Sequence, residues 1–132
     1  MNTYSQRRIA ILMGLEVLSL AIISTLHLSG VLAGRGKPFN PTAAGTAEAL
    51  IGTVLLLGVA ALVRDQARGR EAAIAATGFA IVGFLVGLTF TVRGGDAIDI
   101  AYHATVLPLL VLTLVVLRPS RRLRPPALRS ES

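Results

Sequence analysis

Four apolar segments, at about residues 9–33, 43–63, 72–92 and 97–117, occupy most of this sequence. Each is close to the ~20 residues whose helix crosses ~30 Å of hydrocarbon. Only short connections separate them, which leaves little chain for anything outside a bilayer. The sequence therefore predicts an all-α polytopic membrane protein, with four transmembrane helices packed as a bundle. A chain that is 53% apolar, with a mean hydropathy of +0.69, lies well above the soluble norm and agrees with that reading.

Charge sets the expected orientation. Arg7 and Arg8 precede the first span, Arg64, Arg68 and Arg70 lie between the second and third, and Arg118, Arg121, Arg122, Arg124 and Arg129 follow the fourth. The opposite side carries only Arg35, Lys37 and Arg93. By the positive-inside rule, residues 1–8 and 118–132 are cytoplasmic in a multi-pass plasma-membrane protein. The tail, rich in Arg and Pro, reads as a basic disordered segment. Topology and attraction to anionic lipid already account for arginines beside a span, so the expected partner is the bilayer and not nucleic acid. Cysteine is absent, which excludes a disulfide frame or a thiolate metal site.

The first apolar run resembles a secretory signal, with a positive lead and a small-residue ending. It exceeds the usual apolar length of such signals and carries Glu16 and His27. It is read as a span, with cleavage as the alternative; Arg7-Arg8 lacks the context of a twin-arginine signal. Glu16, Leu20, Ile23 and His27 share one helical stripe, which should face the bundle interior. Glu16 is either a helix-packing carboxyl or a step in a proton path.

Asn40-Pro41-Thr42 opens the second span, with Thr42 as a possible N-cap. Glu48 shares its face with Gly45, Gly52, Leu55 and Val59. Small residues around an intramembrane carboxylate suggest a close helix contact or space for a bound molecule. The third span has no charge, and its Ala76, Ala80, Gly83, Gly87 and Thr91 form a small-residue face suited to packing within the bundle. Arg93-Gly94-Gly95-Asp96 is a tight turn whose Asp96 is expected to cap the last helix. On that helix Asp99 and His103, four residues apart, are neighbours, and Tyr102 points to one side. Pro108 should kink the helix or free a carbonyl.

The topology brings distant residues to one depth. His27, Glu48 and His103 each lie about 8 to 10 Å below the outer surface at 1.5 Å per residue, with Asp99 nearby. Ionisable groups at such positions are functional candidates, and one another's first partners. As a structural network, Asp99 would pair with His103, and Glu48 with His27 or Arg93. As a pocket, His27, Glu48, Asp99, Tyr102 and His103 would meet a lipophilic molecule such as a quinone. As an enzyme, Asp99 would orient His103 as general base while Glu48 donates a proton to a lipid or isoprenoid-like substrate. As a cofactor site, His27 and His103 would be axial haem ligands, or with Glu48 and Asp99 would hold zinc.

The run from Ala44 to Gly58, Ala-Gly-Thr-Ala-Glu-Ala-Leu-Ile-Gly-Thr-Val-Leu-Leu-Leu-Gly, resembles the second span of the DoxX-like superfamily of small four-helix membrane proteins. That resemblance implies a group linked to quinone-dependent redox or oxidative-stress complexes, often as accessory subunits beside a membrane-protein partner, and the chain is read as a non-catalytic binding or accessory subunit. Only Glu48 carries over by position.

Overall fold

The computed structural model describes residues 3–65 and 68–118, and four helices make up nearly all of them. They are α1 (Thr3–Leu28), α2 (Pro41–Arg64), α3 (Arg68–Gly94) and α4 (Ala97–Leu117). Each is long and apolar enough to cross a membrane, and the shortest, at 21 residues, spans about 31 Å at 1.5 Å per residue. The fold is an all-α four-helix bundle of a multi-pass membrane protein.

The helices are arranged as a ring in which each packs antiparallel to its sequence neighbours and α4 closes on α1. One end carries the 29–40 and 95–96 connections and is called here the loop end. The other carries Thr3, Arg118 and the connection from α2 to α3, and is called the terminal end. Large apolar side chains cover the outside, among them Ile11, Leu18, Leu57, Val82 and Val115. Hydrocarbon solvates such a surface at no cost, whereas water would not.

The interior changes character along the bundle. Toward the terminal end it is aliphatic, built on Met13, Leu55, Leu62, Ala73, Leu110 and Leu117. There α2 and α3 approach through small residues: a side chain on Gly58 would meet Ala76, and one on Gly69 would overlap the backbone of Ala61. Gln6 donates to the Leu62 carbonyl, and Arg70 Nε to the Leu117 carbonyl at 2.5 Å. Glu16 lies in this half, where its Oε1 accepts from Thr113 Oγ1 at 2.7 Å. The helix-packing role expected of Glu16 is thus what the geometry supplies, as a tie between α1 and α4.

Several boundaries depart from the sequence reading. The first helix begins at Thr3 and ends at Leu28, so the expected 9–33 span is shifted toward the N-terminus. The chain leaves the helix at Gly30, whose φ of 78° a glycine adopts without penalty. The cap of α2 is Asn40, not Thr42: its side chain accepts from the Ala43 amide at 3.1 Å, and Pro41 takes the first helical position, where no amide is needed. Asp96 occupies the cap position of α4, but its side chain makes no bond to the helix's first turn. Its Oδ2 instead accepts from the Gly34 amide at 3.0 Å. Helix α4 runs unbroken through Pro108; the ring lies on the exposed face, and the Ala104 carbonyl forfeits its helical partner. The α3 small face packs internally, with Gly83 against Ile51 and Gly87 against the His103 ring. Of the basic tail, only Arg118 falls within the described residues.

Candidate functional site

The loop end is closed by one connection lying on the other. The Arg35 amide reaches the Gly94 carbonyl at 2.6 Å, and Arg35 Nε reaches the Gly95 carbonyl at 2.7 Å. Gly94 permits this contact, because a Cβ there would run into the Gly36 carbonyl and Phe39. The crossing seats Phe39 over His27, with ring centroids 5.6 Å apart, and so roofs the polar residues below.

Under that roof, α1, α2 and α4 bring His27, Glu48, Asp99 and His103 together, each at most 6% exposed. His27 Nδ1 lies 2.8 Å from Glu48 Oε2, which is the Glu48–His27 pair anticipated above. The alternative partner, Arg93, is exposed. His27 Nε2 turns to Asp99, with Oδ2 at 3.7 Å, too far for a hydrogen bond. His103 Nδ1 lies 3.0 Å from the Asp99 backbone carbonyl and 3.3 Å from Asp99 Oδ1. The hydrogen bond thus goes to the carbonyl one turn back, and the expected Asp99–His103 pair is present at ion-pair range. Among buried side-chain atoms of the described residues, His27 Nε2, Glu48 Oε1 and both Asp99 carboxylate oxygens have no hydrogen-bond partner.

Tyr102 departs from the expected group. Its hydroxyl pairs with Ser19 Oγ at 3.1 Å, and its ring packs on Phe84, which directs it to the α1–α4 seam. Phe84 also packs on His103, with centroids 5.0 Å apart, and holds that imidazole in place.

A cavity of about 520 Å³ lies beside the cluster, between the loop-end halves of α2 and α3. Ala43, Ala47 and Ile51 form one wall, and Phe79, Val86 and Phe90 the other. Glu48 and His103 line it too. Several of its apolar rim residues, such as Leu50, Val82 and Val86, are exposed on the outside of the bundle, so the cavity opens sideways onto the apolar belt. Sequence reasoning found Glu48 and His103 but missed Phe39, Phe84 and the cavity walls. The available signal was the run of small residues on α2 facing phenylalanines on α3, a size mismatch that holds two helices apart.

The arrangement bears on cofactors. The Asp99 carboxylate stands between His27 Nε2 and His103 Nδ1, so the imidazoles do not flank a slot in which a porphyrin fits. One ligand atom each from His27, Glu48 and Asp99 lies within 4.8 Å of the other two, a spacing near that of a metal site.

Comparisons with protein-family models, with curated proteins and with solved structures find no match.

Proposed function

We propose that this protein is a non-catalytic binding subunit of the plasma membrane that takes a lipophilic small molecule of the quinone class into the α2–α3 cavity. The supporting observation is the cavity itself: apolar walls, a side opening onto the belt of exposed apolar residues, and Glu48 and His103 as polar partners. Its volume falls within the range of small-molecule sites. Quinone carbonyls would meet the imidazole and the carboxyl while the ring and tail lie among Ala47, Phe79 and Phe90. The likeness of residues 44–58 to DoxX-like proteins favours a redox-associated accessory role beside a partner subunit. The arginine distribution favours cytoplasmic termini, and a reporter fused after Ser132 is expected to be active only in the cytoplasm; activity on the opposite side of the membrane would overturn that orientation.

Binding is tested with decylubiquinone and purified protein. At 100 times Kd a ligand stabilises by about 2.7 kcal/mol, so wild type should show a clear rise in Tm. Ala47→Phe, which places a ring in the cavity, should abolish the rise. Equal rises in both proteins, or none in wild type, would refute the reading.

A second reading is acid/base chemistry on a lipid or isoprenoid-like substrate. It draws on one further observation: the two cavity-lining groups, Glu48 and His103, are connected through His27 and Asp99 by separations of 2.8, 3.7 and 3.3 Å. A proton taken up at one could be balanced by one released at the other.

A further inference from the structure

We propose that the cluster beside the cavity is a divalent-metal site of the zinc class, with His27 Nε2 and the Asp99 carboxylate as protein ligands and Glu48 as the carboxylate that orients His27. Buried carboxylates in proteins are paired, hydrogen-bonded or metal-bound. Asp99 is 1% exposed, and neither of its oxygens has a hydrogen-bond partner. Among the described residues no lysine or arginine forms an ion pair with it; its ion-pair neighbours there are the two imidazoles.

The histidine is arranged as in metal sites. A metal-binding imidazole gives one nitrogen to the ion and the other to a carboxylate or carbonyl that fixes its ring. Here Nδ1 is held by Glu48 at 2.8 Å, and Nε2, without a hydrogen-bond partner, faces Asp99 Oδ2 at 3.7 Å. A zinc-sized ion with bonds of about 2.0–2.2 Å keeps its ligands about 3.4 Å apart. The observed separation needs to contract only slightly. In the tautomer whose Nδ1–H donates to Glu48, Nε2 and Asp99 Oδ2 are two acceptors facing each other in a buried site, and a cation between them turns repulsion into two bonds. His27 and Asp99 are not among the residues lining the cavity, so the remaining coordination positions are left for water. The site stands on the cluster alone and does not require the quinone reading.

The test uses full-length protein purified in detergent without chelator. Elemental analysis should find about one transition-metal ion per chain. After chelator treatment, cobalt(II) should restore thermal stability and give d–d absorption. Asp99→Asn should lose the metal and the cobalt spectrum, and Glu48→Gln should weaken binding about 10- to 100-fold, the range for an orienting partner. Ala47→Phe should keep the metal while losing the decylubiquinone response, which separates failure of this proposal from failure of the cavity reading. Metal-free wild type with no thermal or spectral response to cobalt or zinc would overturn the site, whatever the variants do. An unchanged cobalt spectrum in Asp99→Asn would do the same.

Discussion

The tie between Glu16 and Thr113 offers a quantitative check on how polar groups hold this bundle. Thr113 is fully buried and Glu16 is 4% exposed, and the Thr113 hydroxyl donates to Glu16 Oε1 at 2.7 Å. The other oxygen, Oε2, has no hydrogen-bond partner, so among the described residues the Thr113 bond is what ties the carboxyl group to α4. Thr113→Val keeps the side-chain shape and removes the donor. Hydrogen bonds between membrane helices average about 0.6 kcal/mol and reach about 1.7, while a buried polar group stripped of its partner costs about 1–3 kcal/mol. Because no second donor among the described residues serves the Glu16 carboxyl, the expected loss is about 1.5–2 kcal/mol, measured by SDS titration in mixed micelles. Removing the carboxyl as well, in Thr113→Val with Glu16→Met, leaves nothing unsatisfied. That double variant should be more stable than Thr113→Val alone. If the two single effects add within about 0.5 kcal/mol, as they do for uncoupled sites, the coupling argued here is absent.

Two other expectations concern the loop end. Gly94→Ala places a methyl group against the Gly36 carbonyl and the Phe39 backbone, which cannot swing away; a loss of about 1–3 kcal/mol is expected in the same titration. Gly78→Ala, with nothing within 4 Å of the new Cβ, is the matched control and should be neutral or stabilising by up to about 1 kcal/mol. Asp96→Ala removes the acceptor of the Gly34 amide, so hydrogen exchange at Gly34 should quicken while amides at mid-helix in α2 stay protected. Unchanged exchange at Gly34 would mean that the crossing is held by Arg35 alone.

The helices were legible because hydrocarbon imposes one simple rule on sequence, a run of apolar residues of fixed length. Their ends were harder to read. Residues 29–33 are as apolar as the span before them, and only the backbone turn at Gly30 separates the two. The shared depth of His27, Glu48 and His103 followed from counting residues in antiparallel helices, and the contact between His27 and Glu48 bears that counting out. Side-chain direction did not follow from it. Tyr102 and His103 are adjacent in sequence, yet the 100° step around the helix gives one to Ser19 and the other to the cavity. Asp96 could not be placed from its own neighbourhood, because the amide it serves belongs to Gly34, 62 residues away in sequence.

The cavity and the polar cluster have a common origin in how side-chain size is distributed along α2 and α3. At the terminal end Gly58, Ala73 and Ala76 bring the two helices together, whereas at the loop end Phe79 and Phe90 stand opposite alanines and fill only part of the gap. The space that remains exposes one edge of Glu48 and of His103, whose other edges face His27 and Asp99. Glu48 therefore belongs to both environments, with Oε2 beside His27 and Oε1 without a hydrogen-bond partner. A ligand that bonds Oε1 changes the acceptor strength of the carboxylate that orients His27, and so the affinity of Nε2 for a cation. By linkage the cation must change the ligand's affinity by the same factor. Cobalt titrations with and without decylubiquinone should accordingly give different cobalt affinities, and decylubiquinone titrations with and without cobalt should differ by the matching ratio. Independent affinities would show that Glu48 does not couple the two sites, even if each binds its own ligand.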